Sequence, residues 1–215
     1  MQKRPLVIAI YDPRWYMRVI SLLRERGLFF HHYYDPGSVP LGAVFYTDYD
    51  RLWREVSWRK DVEVVYDPGH ECRELEKAIA KSLVVADLYE EAIVGIDPGS
   101  RSSYVVLVDG EYLFSGSGDL AEVVGVVGYV KNCVPAKSVT VRIGSRGRGL
   151  TLASLLHREL GGVRIELVPE EKTTPRGASL ELAGVAKRIS VERGPLRRDL
   201  YAAYRIALRK GVEVV

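Results

Sequence analysis

A chain of 215 residues has room for one large domain or two small ones. Its 47% hydrophobic and 27% charged residues match a globular chain with a real core and exclude a disordered or fibrous polymer. No stretch reaches about 18 uncharged apolar residues, which excludes a transmembrane helix, and the net charge of +3 permits nucleic-acid binding without requiring it.

The first elements alternate between strand and helix patterns. Residues 6–10 form a continuous apolar run, too short for a signal peptide and suited to a buried parallel strand, so the expected compartment is the cytoplasm, with no membrane partner. Residues 15–26 carry Tyr16, Val19, Ile20, Leu22 and Leu23 at helical spacing and end at Gly27. Strands are predicted over 28–32, 43–46 and 62–66, with helices over 48–56 and 72–85. Such a βαβα series predicts a small parallel sheet with helices on both faces. Residues 87–92 read as a charged connector, placing the boundary between a domain of residues 1–88 and one of residues 89–215.

The second part opens differently. A strand at 93–96 precedes two strands, 103–108 and 112–116, flanking Asp109-Gly110, a two-residue hairpin signal. Helices over 120–129 and 150–160 then alternate with strands over 138–143 and 163–168. Two helices, 179–189 and 196–210, close the chain, the last placing Leu200, Ala203, Tyr204, Ala207 and Leu208 on one face.

Three acids stand at positions suited to chemistry. Asp97 ends an apolar strand in Ile96-Asp97-Pro98-Gly99, Glu170 follows a strand in Glu170-Glu171-Lys172-Thr173-Thr174, and Asp199 lies in the first turns of the last helix. Acids beyond the carboxyl ends of strands occupy the place where open α/β sheets build sites. Carboxylate oxygens are the ligands that Mg²⁺ or Mn²⁺ prefers, and such sites leave room for phosphate oxygens.

An antiparallel start followed by parallel βα units and a closing helix is the element order of an RNase H-like sheet. The Ile96-Asp97-Pro98-Gly99 strand end resembles the opening motif of RuvC-type resolvases. The Glu170–Thr174 stretch resembles the Thr-Thr-ending motif of the YqgF branch, and Asp199-Leu200-Tyr201-Ala202-Ala203 resembles the closing-helix motif of that superfamily. The match covers about residues 92–210. The resemblance implies an RNase H-like second domain and a metal-dependent endonuclease acting on branched or structured DNA or RNA, in recombination, repair or RNA processing. It implies Asp97, Glu170 and Asp199 as catalytic, metal-binding acids, Mg²⁺ or Mn²⁺ as cofactor, and a homodimer where the relative is a junction resolvase. The pattern departs from RuvC enzymes at the middle strand, where Val141-Arg142-Ile143-Gly144 carries no acid. A second reading is therefore an inactive nucleic-acid-binding or protein-interaction module on the same scaffold. A sugar-kinase or actin-like ATPase would need two such lobes, and the sequence offers one.

Basic residues are placed to meet phosphate: Arg142, Arg146 and Arg148 around the Gly144–Gly149 loop, Lys172, and Arg197-Arg198 beside Asp199. In the first part, Asp12, Asp48 and Asp50 follow strands, but a phosphoacceptor site also needs a hydroxyl and a lysine that the pattern does not assign. His31-His32 closes a strand and is read as structural. The Asp-Pro-Gly triplets at 35–37 and 67–69 read as plain turns, and Trp15, Trp53 and Trp58 as packing residues or a partner surface. Cys72 and Cys133 lack metal spacing and read as small buried hydrophobes rather than a disulfide. A single Asn (Asn132) and a single Gln (Gln2) give the amide depletion of hyperthermophile proteins.

Overall fold

The structure, a computed structural model, describes residues 2–84, 86–169 and 195–214, the side chains of 195–197 excepted. The predicted 179–189 helix, Glu170, Glu171 and Lys172 lie outside the described residues. The chain is α/β and divides into two compact units, Met1–Tyr89 with Asn132–Pro135, and Glu90–Lys131 with Ala136–Val215.

The first unit holds β1 (Leu6–Ala9), α1 (Pro13–Glu25), β2 (His31–His32), β3 (Val44–Thr47), α2 (Asp50–Val56), β4 (Glu63–Tyr66) and α3 (Cys72–Val84). The strands form one parallel sheet in the order β2-β1-β3-β4. Asp12 caps α1, accepting from the N–H groups of Arg14 and Trp15, with Pro13 in the first turn. The same helix ends before Gly27, whose φ of +62° suits a residue without a side chain. Its buried face is Val19, Ile20 and Leu23, while Val7, Ala9, Phe45, Val56 and Val62 belong to the sheet core. A buried ion pair joins Arg26, just past α1, to Glu76 of α3 at 2.6 Å. The predicted second strand shrinks to His31–His32, because the ladder to β1 has only the pairs Val7↔His31 and Ile8↔His32.

The two cysteines correct the sequence reading: Cys72 and Cys133 are joined as a disulfide, Cα to Cα 5.3 Å, across 61 residues. Cys133 lies in the 132–135 segment that packs with the first unit.

The second unit holds β5 (Tyr89–Asp97) from Glu90 on, β6 (Ser102–Val108), β7 (Glu111–Gly118), α4 (Leu120–Cys133) up to Lys131, β8 (Ala136–Gly144), α5 (Gly149–Leu160), β9 (Arg164–Val168), α6 (Pro195–Ala207) and β10 (Val212–Glu213). Its sheet runs β10-β9-β8-β5-β6-β7. The β5, β6 and β7 ladder is antiparallel, β8 and β9 are parallel, and the unpredicted β10 adds an antiparallel edge. Asp109 and Gly110 both take positive φ, +50° and +79°, as the two-residue hairpin requires. Residues 89–92, read as a connector, extend β5 instead.

Helix α6 lies directly on the sheet. Leu200, Ala203, Tyr204 and Ala207 pack with Ile93, Val105 and Leu107, while Leu208, expected on that face, is 50% exposed. Contact is closest at Gly95, where a Cβ would fall 2.4 Å from the Ala203 carbonyl oxygen and 2.5 Å from Ala207 Cβ. Only glycine lets the helix approach this far.

Candidate functional site

The carboxyl edge of the second unit's sheet gathers three chain segments. Strand β5 ends in half-buried Asp97, which lies on the same face as Gly95 because strand side chains alternate. Strands β8 and β9 end in register at Gly144↔Val168, and the Ser145 N–H donates to the Val168 carbonyl at 3.0 Å. The loop from β8 into α5 turns back beside β5. Gly147 sits at φ +58°, with its Cβ position 3.9 Å from the Pro98 carbonyl oxygen. At Gly149 a side chain is impossible, because its Cβ would stand 2.1 Å from the Gly144 carbonyl oxygen.

The sequence-predicted residues fall on this frame as follows. Asp97 stands at the end of β5, one residue before Pro98, whose carbonyl oxygen lies 3.9 Å from the Gly147 Cβ position. Asp199 is exposed on α6, one turn before Ala203, which touches Gly95. The two acids thus sit on elements that meet at Gly95. Glu170 follows β9 by two residues and lies outside the described residues. Among the described residues no group of three His, Cys, Asp or Glu side chains is placed to hold a metal. Arg146, Arg148 and Arg198 are exposed, and the Arg197 side chain is not among those described.

Arg142 is not on that surface. It is 7% exposed; its Nε donates to Glu166 Oε2 at 2.9 Å and its Nη1 donates to the Ala207 carbonyl at 2.5 Å. The guanidinium clamps β8 to β9 and to the end of α6, where the last carbonyls of a helix lack intrahelical partners. Burial opposes ionisation of Glu166, but the Gly211 N–H and the Arg142 guanidinium outweigh it, holding the carboxyl below its usual range.

The first unit has its own polar edge, which sequence reasoning only partly found. Asp48 is almost buried and accepts from the Tyr11 N–H at Oδ1 (2.7 Å) and the Asp12 N–H at Oδ2 (3.0 Å), with His70 Nε2 3.0 Å from the same Oδ2. The Asp12 carboxyl is held below the usual range first by the Trp15 N–H, against desolvation, with the Arg14 N–H assisting. Asp50 pairs with Arg54 one turn along α2. These carboxylates serve caps and loops, and the backbone donors after β1 that could hold an anion are filled by Asp48. Asp67, read as a plain turn residue, is buried; it accepts from the Tyr46 hydroxyl at 2.5 Å and from the Glu71 N–H at 2.9 Å. Burial and Asp67 together push the Tyr46 hydroxyl far upward, so it remains a donor at any physiological pH. Only its partner, 21 residues upstream, could have revealed this role.

No family model matches the chain, and no curated protein does. Among solved structures, two of Marinitoga piezophila Argonaute are similar: one in complex with 5′ OH guide RNA, the other with 5′ OH guide RNA and target DNA. Their TM-scores are 0.27 and 0.28, with 9% identity in each case, over 78% and 77% of this chain. The chain spans about two fifths of the length of those chains, 40% and 39%. No described helix is long and apolar enough to cross a membrane.

Proposed function

We propose that this chain is a metal-dependent endonuclease of RNase H-like fold, acting on structured DNA or RNA. The observation that carries the reading is the second unit's topology: three antiparallel strands, β5 innermost, continued by parallel β8 and β9, with α6 laid over Gly95 and Asp97 ending the central strand. Ligand sites in open α/β sheets lie outside such carboxyl ends.

The donor set suits a hard divalent cation. Asp97, Asp199 and Glu170 offer carboxylate oxygens, the ligand type that Mg²⁺ and Mn²⁺ take. A bound ion would polarise a phosphoryl oxygen and lower the pKa of an attacking water. The chain's own contribution is positional. The loop that brings Gly147 close to Pro98 leads into the N-terminus of α5, whose N–H groups and helix dipole favour anions. Arg146, Arg148 and Arg198 supply exposed cations for a nucleic-acid backbone, and Lys172 and Arg197 join the proposed set from the sequence alone. Arg142 is left out of this set because its guanidinium is buried against Glu166 and Ala207.

Incubation of the full chain with junction, flap, duplex and single-stranded DNA and RNA, with and without Mg²⁺ or Mn²⁺, tests the reading. Chelator-sensitive cleavage of at least one branched substrate is expected. A second reading, a binding module that no longer cuts, is favoured by β8, whose AKSVTVRIG sequence lacks the acid that RuvC enzymes carry there. It predicts salt-sensitive binding of the same substrates and no cleavage with either metal.

A further inference from the structure

Outside the carboxyl ends of β1 and β2, in the first unit, lies a pocket of about 380 Å³. This falls within the roughly 300–1,000 Å³ of small-molecule sites. The pocket is open to solvent, and four rings line it: Tyr16, His32, Tyr33 and Tyr34. Ile8, Ile10 and Leu52 supply its aliphatic part, and no Lys, Arg, Asp or Glu among the described residues lines it.

The rings are held in different ways. The Tyr16 hydroxyl lies 2.9 Å from His32 Nδ1, and the Phe30 ring meets His32 edge-on at 5.3 Å. His32 is therefore held on two sides, and Nε2 is its second hydrogen-bonding atom, donor or acceptor according to tautomer. The Tyr33 hydroxyl is committed to Glu55 at 2.8 Å, so that residue offers only its ring. Tyr34 is 79% exposed and forms the outer wall.

We infer that this pocket binds an uncharged planar heterocycle of the nucleobase type, stacked on tyrosine and hydrogen-bonded through His32 Nε2. Ring faces stack on any base, because every base has a π-face. The absence of lining charge disfavours a carboxylate or phosphate inside the pocket and leaves the ligand's sugar or backbone to the solvent side. The Asp48 carboxylate already occupies the anion-binding N–H groups after β1, which agrees with recognition by ring rather than by phosphate. The inference concerns the first unit only and does not depend on the nuclease reading.

Calorimetric titration of the full chain with adenosine, guanosine, cytidine and uridine, in the presence of a chelator, tests it. Saturable binding of at least one nucleoside is expected, with ribose 5-phosphate inert. Tyr34→Ala and His32→Ala should each weaken that binding tenfold or more with an unchanged thermal midpoint, since both side chains are exposed. Trp58→Ala, an exposed aromatic outside the pocket, should leave it unchanged. The inference is overturned if no nucleoside saturates at millimolar concentration, if ribose 5-phosphate binds equally well, or if the pocket variants behave as Trp58→Ala does.

Discussion

Arg142 illustrates how one side chain can serve stability where its neighbours are proposed to serve binding. Its guanidinium, paired with Glu166 and the Ala207 carbonyl, is shielded from solvent at 8% side-chain exposure. Truncating one partner of a buried pair strands the other, so Arg142→Ala should cost about 3 kcal/mol in urea unfolding. Arg146→Ala with Arg148→Ala, on the exposed loop, should leave stability unchanged. If those residues contact phosphate, the double variant reduces the log–log salt slope of nucleic-acid binding by about 0.7–0.9 per lost contact; an unchanged slope makes the loop only a turn. Local signals were legible at this scale. The Asp109-Gly110 turn was read from two adjacent residues, whereas Asp12, read only as an acid after a strand, proved to be the cap of α1. Arg142, Asp67 and the cysteines were not legible, because their partners lie 24, 21 and 61 residues away.

Among elements, α6 and β9 are where packing and proposed chemistry meet. Gly95→Ala would drive a Cβ into the Ala203 carbonyl and lift α6 from the sheet that carries Asp97. Overpacking of this kind costs about 1–3 kcal/mol, and activity should fall with it. Glu166 gives this region a defined pH response. Its folded pKa lies below its unfolded value, so its stabilisation is complete above the ordinary glutamate pKa, about 4.3, and is lost as pH falls through the lower folded value. Glu166→Gln should flatten the acid side of the stability curve in that window by removing the stabilisation present at neutral pH, so the variant is less stable than the unmodified chain at pH 7 and closer to it at low pH. Element types were readable from periodicity over 120–168, where the helices and strands are long. The β2 and β10 strands, of two residues each, carry too few alternations to be read. The proposed site rests on three acids in order along the chain; the approach of α6 to β5 at Gly95 was not legible, since a lone glycine does not name its neighbour.

For the molecule as a whole, amide depletion and the Cys72–Cys133 disulfide point the same way. Closing a loop of about 60 residues restricts the unfolded chain by about 4 kcal/mol, and disulfides are common in hyperthermophile proteins as well as in oxidising compartments. The oxidised chain should melt above about 70 °C, beyond the 45–65 °C of most mesophile domains, and reduction or Cys72→Ser with Cys133→Ser should lower its urea midpoint. The central claim is that the carboxyl edge of the second sheet is a metal-dependent cleavage site. Its most direct test is the single-turnover cleavage rate of Asp97→Asn against the unmodified chain, on a branched substrate at saturating Mg²⁺. Partners one shell beyond a metal already cost about 10–100-fold, so loss of a direct ligand should lower the rate by more than about 100-fold with substrate affinity and thermal midpoint preserved. Cleavage by Asp97→Asn at the unmodified rate would contradict the account.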